Sequence, residues 1–280
     1  MKISIITASY NYANYITDVI TSVINQTYSD WELIIVDDGS SDNSVDIIKS
    51  FCDNDARIKL YQHEGSTNKG LKKSILLGLE KASGDWIAFL ESDDFFKPEN
   101  LAKKVEIIEK NPSVTLVFNK VEFIGDKKRS KKTEKDLSPT QVELSKMTFP
   151  RNMFYDFCKK NMILTFSAVI VKKEKLKAVD FNTNIDALLD WWLWIHLSYK
   201  NEFYYLDEEL TQWNIHPDSY ISKSKKLLFP QLGSYLDVFK NDGRDFKVLW
   251  FVLFSLPTLF YLKAKKYIAK LINKFLIWTS

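Results

Sequence analysis

Three short, mainly apolar runs near the start of the chain each stop at polar residues, acid-rich after the second and third. Ile3 to Ala8 runs into Ser9-Tyr10-Asn11, Trp31 to Val36 into Asp37-Asp38-Gly39-Ser40, and Trp86 to Leu90 into Glu91-Ser92-Asp93-Asp94. The last run is almost wholly apolar, as a central strand buried on both faces must be. The segments between the runs are long enough for crossover helices. Ile16, Val19, Ile20, Val23 and Ile24 share one stripe of a helix over 15–25, and Val45, Ile47, Ile48 and Phe51 follow a cap at Asp42 or Asn43. A further strand is expected over 57–62, a helix over 69–82, a helix opened by Pro98 and reaching about Lys110, and a strand over 114–118. This alternation predicts βαβ units, and so an α/β fold with a mostly parallel sheet. Such sheets bind ligands beyond the carboxyl ends of their strands. The polar clusters fall there, joined by Asn68-Lys69-Gly70 before the third helix.

After residue 118 the pattern loosens. Residues 126–136, DKKRSKKTEKD, hold no apolar side chain and are expected to form an exposed, mobile loop, either a lid or a solvated insert. Helical patterning resumes at Thr140. Residues 166–171 read as a strand, 185–199 as an aromatic-rich helix, and 203–206 and 210–215 as separate strand pieces. Two cysteines in 280 residues supply neither a disulfide framework nor a zinc ligand set. The N-terminus lacks the apolar stretch and cleavage site of a secretory signal, so a cytoplasmic protein is expected.

Charge is unevenly divided. Residues 223–280 carry eleven basic and three acidic side chains, a net +8, whereas the preceding 222 residues carry −5. An acidic body is a poor start for nucleic-acid binding, which depends on neutralising phosphates, and no such partner is expected. The tail contains a fifteen-residue uncharged run, 248–262, interrupted by Pro257. That is short of the roughly twenty residues a membrane span needs. From Lys263 onward, lysines alternate with Tyr267, Ile268, Leu271, Ile272, Phe275, Leu276 and Ile277. A cationic amphipathic helix on an anionic membrane surface is expected, with a helix packed on the body as the alternative.

Carboxylates gathered at strand ends repel one another, so a site holding several points to a divalent cation or a hydroxyl-rich ligand. Oxygen ligands of this kind suit magnesium or manganese. The segments SIITASYNYANYI, SVINQTYSDWELIIVDDGSSDNS and GDWIAFLESDD, in this order and spacing, closely resemble the family-2 glycosyltransferases over residues 1 to about 118. LDWWLWIHLS and IHPDSYIS resemble that family's acceptor-side segments more loosely. The resemblance implies a GT-A fold, Rossmann-like, with a nucleotide-sugar-binding half over 1–118, an acceptor-side half over 119–222 and a basic helical tail over 223–280. It further implies an inverting, metal-assisted transfer of a hexosyl or N-acetylhexosaminyl group from a nucleotide-diphospho-sugar, with a UDP-sugar favoured. The acceptor would be a hydroxyl of a glycan or lipid-linked glycan in bacterial cell-surface polysaccharide synthesis. With the basic tail, this gives a peripheral placement on the inner face of the cytoplasmic membrane.

Roles follow residue by residue from the same resemblance. Asp38 pairs with the donor's base, between walls formed by Ala8 and Tyr10, and Ser92 lies with these donor-binding residues. Asp93 is the direct metal ligand and Glu91 a supporting carboxylate, standing where the family usually has aspartate. His216 either closes over the metal and diphosphate or is a loop histidine without a metal role. Ile75 and Leu76 replace the family's common Arg-Asn pair, leaving Lys72 and Lys73 to supply charge toward the donor. Asp190 is the catalytic base, with Leu189 in place of the family's glutamate and Asp186 as fallback. Two rivals stand beside this reading. A sugar nucleotidyltransferase would need a glycine-rich phosphate loop after the first strand, which Ser9-Tyr10-Asn11 does not provide. A nucleotide-sugar-binding or scaffold protein with lapsed catalysis is motivated by Glu91, Ile75 and Leu189.

Overall fold

The apolar run that opens the chain forms β1 (Ile3–Ser9), the strand around which the sheet is built. It pairs in parallel with β2 (Trp31–Asp37) on one side and β4 (Trp86–Phe89) on the other, and β3 (Ile58–Gln62) adds in parallel to β2. The crossovers are α1 (Ile16–Ile24), α2 (Ser44–Asn54) and α3 (Leu71–Lys81), close to the expected limits. The computed structural model describes residues 1–181 and 189–217. The fallback base Asp186 and the basic tail from Lys223 lie outside the described residues.

The chain continues through β5 (Phe95–Phe96), α4 (Asn100–Lys110), β6 (Val114–Gly125), α5 (Lys127–Leu144), α6 (Phe154–Lys159), β7 (Val169–Lys172), α7 (Lys173–Lys177), α8 (Leu189–Ser198) and β8 (Glu202–Ile215). The eight strands run in the order β3-β2-β1-β4-β7-β6-β8-β5. Strand order reverses between β1 and β4, which opens a crevice at their carboxyl ends. Burial explains the stability of this half. Ile16, Val19, Ile20 and Val23 of α1 are fully buried in one cluster with Ile3, Ile5, Leu33 and Ile35. Each such side chain contributes on the order of 2 kcal/mol.

Three expectations change in the second half. Residues 126–136 do not form a loop: all but Asp126 belong to α5, and the Asp126 carboxylate caps that helix by accepting N–H bonds from Lys128 (3.1 Å) and Arg129 (2.8 Å). The buried stripe of α5 is made of Ser130, Thr140, Gln141 and Leu144, so its first half carries no apolar periodicity to read. Gln141 docks the helix: its amide bonds both the N–H (2.7 Å) and the C=O (3.3 Å) of Val121, where the β6–β8 register shifts. The two pieces expected over 203–215 are one continuous strand, β8, in which Asp207, Glu208 and Glu209 are exposed. Residues 166–168 form a 3-10 turn before β7 rather than part of it.

At the far end of β6, Gly125 adopts a φ of +95°, and a Cβ there would lie 2.5 Å from the carbonyl oxygen of Ile215. The next residue closes the ladder, with Asp126 N–H donating to Ile215 C=O at 2.9 Å. Gly125→Ala should therefore lower the unfolding free energy by about 2 kcal/mol, measured by denaturant titration, because both the backbone angle and the contact resist a methyl group.

Candidate active site

The loops after β1 and β2 are stitched together before any ligand is considered. Asn11, in a left-handed conformation (φ 59°), accepts the Ser41 N–H at 2.8 Å through its side chain, and its own N–H donates to Ser40 Oγ at 2.9 Å. Ala13 N–H donates to Asp42 at 3.0 Å. Against this frame Ala8 is half-buried near the end of β1, and Tyr10 is 45% exposed just beyond it. Asp38 is buried, and its N–H donates to Ser9 C=O at 2.8 Å.

The Asp38 carboxylate holds the 63–70 loop. It accepts the N–H groups of Lys69 (2.6 Å) and Gly70 (2.9 Å), and His63 Nε2 lies 3.5 Å away. Gly39 permits this approach: at φ +83° a Cβ would meet Ser66 C=O at 2.7 Å and Asn68 N at 2.9 Å. Each carboxylate oxygen keeps a lone pair for an external N–H. His63 thus stands beside Asp38 and also contacts Ser74 Oγ at 3.0 Å. Lys72 is half-buried in the first turn of α3, whereas Ile75 is buried in the core where the family pattern would place arginine.

At the end of β4 the carboxylates separate into two groups. Asp93 Oδ2 lies 2.8 Å from His216 Nε2, and the imidazole stacks on Tyr15 with ring centroids 4.7 Å apart. Tyr12 bonds the same carboxylate. Burial, with Asp93, Glu91 and Asp94 nearby, raises its pKa so that the phenol stays neutral. Glu91 turns instead to Thr165, whose Oγ1 lies 2.5 Å from Glu91 Oε2 and 2.9 Å from Asp94 Oδ2. Asp94 also accepts the Asn214 N–H at 3.0 Å. Loss of solvation, then the neighbouring Asp94 and Asp93, push the Glu91 carboxyl well above the usual range. The same burial, then Asp93, pushes Asp94 to about 8 against the hydrogen bonds from Ser167, Asn214 and Thr165. A hydroxyl carries one proton, so Thr165 can donate to one carboxylate only while accepting from the other in its protonated form. Ser92, between Glu91 and Asp93 in the chain, is buried.

Asp190 begins α8 half-buried, its Oδ2 accepting Asn161 Nδ2–H at 2.9 Å. Burial raises its pKa, opposed by the Trp191 N–H and by Asn161. Asp190 is near enough to Glu91 for its charge to add, as the least of the causes, to the rise of the Glu91 carboxyl. Trp192 and Trp194 are core residues, while Trp191 anchors the helix by donating to Phe157 C=O at 2.8 Å.

The structure therefore brings Asp93 together with His216, and Glu91 with Asp94 through Thr165, while Asp190 is held by Asn161. Among the described residues no three His, Cys, Asp or Glu side chains converge at metal-ligand spacing. The Asp93–His216 pair offers one oxygen and one nitrogen donor; the carboxylate suits either magnesium or manganese, and the imidazole suits manganese better, with phosphate oxygens and water as the remaining ligands. Sequence reasoning missed Thr165, Ser167, Asn161 and Asn214, single polar residues in segments without a motif. It also passed over Tyr12 and Tyr15, which lie inside the quoted opening segment.

Comparison with known proteins bears on the fold and the family. A 34%-identical relative, an uncharacterized glycosyltransferase of Haemophilus influenzae, aligns over 64% of the chain and 65% of its own length. The putative teichuronic acid biosynthesis glycosyltransferase TuaG of Bacillus subtilis is 27% identical over 94% of the chain and 91% of its own length. The chain spans 29% of another matched relative, an uncharacterized glycosyltransferase of Rickettsia bellii. Among solved structures, S. aureus TarS 1-349 in complex with UDP-GlcNAc superposes with a TM-score of 0.67 at 19% identity, covering 90% of this chain and 70% of TarS 1-349. The mannosyltransferase PcManGT of Pyrobaculum calidifontis, in complex with GDP-Man and Mn2+, gives 0.56 at 14% identity over 99% of this chain and 82% of its own. These likenesses establish the GT-A fold. The model of glycosyl transferase family 2 matches residues 4–179, and the chain belongs to that family.

Proposed function

We propose that the protein transfers a sugar, with inversion, from a nucleotide-diphospho-sugar to a hydroxyl of a glycan or lipid-linked acceptor. The observation that carries this reading is Asp190, a carboxylate of raised pKa held by Asn161 and near Glu91. Asp38, with Ala8 and Tyr10, would take the donor's base: a carboxylate accepts an imide N–H and a tyrosine ring covers the base. The solved neighbours TarS and PcManGT hold UDP-GlcNAc and GDP-Man, which supports a nucleotide-sugar donor. Uridine is the base favoured here. Lys72 and Ser92 would contribute to the same donor pocket.

Transfer needs a base to remove the acceptor hydroxyl's proton as its oxygen attacks the anomeric carbon, while the nucleoside diphosphate departs from the opposite face. Asp190 takes that proton, and its raised pKa makes it a stronger acceptor than an exposed aspartate. Asn161 fixes the carboxylate's orientation. Asp93 and His216 would hold a manganese or magnesium ion, with Glu91 supporting from behind. When bound, that ion supplies positive charge to the diphosphate. Tyr12 and Tyr15 pack around His216 and limit water there.

Residues 223–280, with their net +8, are read as the contact to an anionic membrane, giving a peripheral enzyme on the inner membrane face. Among the described residues no helix is long and apolar enough to cross a membrane.

Asp190→Asn keeps size and the bond to Asn161 but cannot take the proton, so turnover should fall roughly a hundredfold or more with donor affinity nearly unchanged. Turnover by the wild type should drop on the acid side as Asp190 protonates. Because that carboxyl titrates above the ordinary range, the fall should begin at higher pH than for an exposed aspartate. Asn161→Ala removes a bond that favours the ionised form and should move the acid limb further up in pH; an unmoved limb would assign the base elsewhere.

Asp93→Ala should abolish manganese-stimulated turnover while leaving the thermal midpoint in chelator nearly unchanged. Retained stimulation, or simple unfolding, would remove Asp93 from the metal site. Neutralising Lys263, Lys265, Lys266 and Lys270 together should weaken sedimentation with anionic vesicles while donor hydrolysis persists.

A further inference from the structure

The first nine residues of α5 place Lys127, Lys128, Lys131, Lys132 and Lys135 on one helix face, all of them exposed. At about 100° per residue these five span an arc of roughly 140°, and the buried stripe lies on the opposite side. None of the five forms an ion pair with a carboxylate among the described residues, although Glu134 and Asp136 lie on the same helix.

Folding alone disfavours this pattern. Lys127–Lys131, Lys128–Lys132 and Lys131–Lys135 are like charges one turn apart, which destabilises a helix. The helix N-terminus already carries the positive end of the macrodipole, so cations there are unfavourable a second time. A helix that keeps such charge in place of acids is better suited to holding an external anion than to its own stability.

Its position is defined by the site. Asp126, the cap, is bonded to Ile215, the residue before His216, and His216 contacts Asp93. Asn214, one residue further back, donates to Asp94. The lysine row thus starts beside the strand end that carries His216 and runs about 12 Å, at 1.5 Å per residue, toward the end of α5 where Thr140 and Glu143 meet Lys160, the neighbour of the Asn161 that bonds Asp190. Val142, 52% exposed beyond the lysines, is the one large apolar side chain α5 turns outward, too small a patch to seat the helix in a bilayer, and Leu144 is buried where α5 packs on β6 and β8. That favours a charged chain in water over a membrane surface.

We infer that the exposed lysine face of α5 binds a polyanionic acceptor glycan, one bearing carboxylate or phosphate groups along its length, and feeds its end to Asp190. This rests on the transferase reading for the identity of the ligand as acceptor, but the surface can be tested independently of it.

The test compares full-length wild-type protein with a variant carrying Lys127→Gln, Lys128→Gln, Lys131→Gln, Lys132→Gln and Lys135→Gln, and with the matching five Lys→Arg changes. Fluorescent polygalacturonate, inorganic polyphosphate and neutral dextran serve as probes, with binding followed by anisotropy across a salt series. Wild type should bind at least one polyanion and not dextran, with affinity falling steeply as salt rises. The Gln variant should bind at least tenfold more weakly, with an unchanged or higher melting temperature, and the Arg variant should bind like wild type. Preference between the two polyanions identifies the charged group. Equal affinity of wild type and the Gln variant overturns the inference. So does loss of sedimentation with phosphatidylglycerol vesicles while polyanion binding is unchanged, which would make the face a membrane contact. Donor hydrolysis by wild type in the same samples reports separately on the transferase reading: its absence alongside lysine-dependent polyanion binding would remove that reading and leave the surface.

Discussion

The two oxygens of Asp94 tie the later strands of the sheet to the end of β4. One accepts the backbone N–H of Asn214 on β8, and the other lies beside the Thr165 hydroxyl ahead of β7, which also meets Glu91. A single buried carboxyl therefore joins the end of β4 to two strands that come much later in the chain. Burying it is costly without these partners, and with them it is held in one geometry. The reward is positional: Asp93, the adjacent residue, is thereby directed at His216.

Repulsion among Glu91, Asp93 and Asp94 is not removed by spacing them apart. It is moderated by neutralising one member through burial and by giving Asp93 an imidazole partner. A crevice prepared in this way presents a limited negative charge to an arriving diphosphate. On the other side, Asp38 is occupied by the N–H groups of Lys69 and Gly70, so the carboxylate proposed to meet the donor's base also organises the 63–70 loop.

The donor half was legible because each of its elements obeys one local rule. Strands β1, β2 and β4 are apolar runs ended by polar turns, and α1 has a single apolar stripe, so pattern and position agree. The acceptor half follows no such rule. Helix α5 docks through Gln141 and small polar residues, which carry no hydrophobic period, and its first half reads as loop. Strand β8 includes three consecutive acids and reads as two pieces. At the site, Asp93 and Asp190 could be found because they sit in recognisable segments. Thr165, Asn161 and Asn214 could not, since their importance comes only from what the tertiary fold places beside them.

The place of β8 in the sheet bears on how the molecule is made. Though last among the described strands, it lies between β6 and β5, pairing with residues about a hundred positions earlier. A ribosome delivers the donor half first, and its local βαβ units can condense while synthesis proceeds. The reaction centre cannot: Asn214 and His216 must emerge before Asp94 and Asp93 find their partners. Until then, the facing edges of β6 and β5 stand open, ready to pair with the wrong strand. The growing chain thus completes its parallel strands well before it completes the cluster around Asp93 and Asp94.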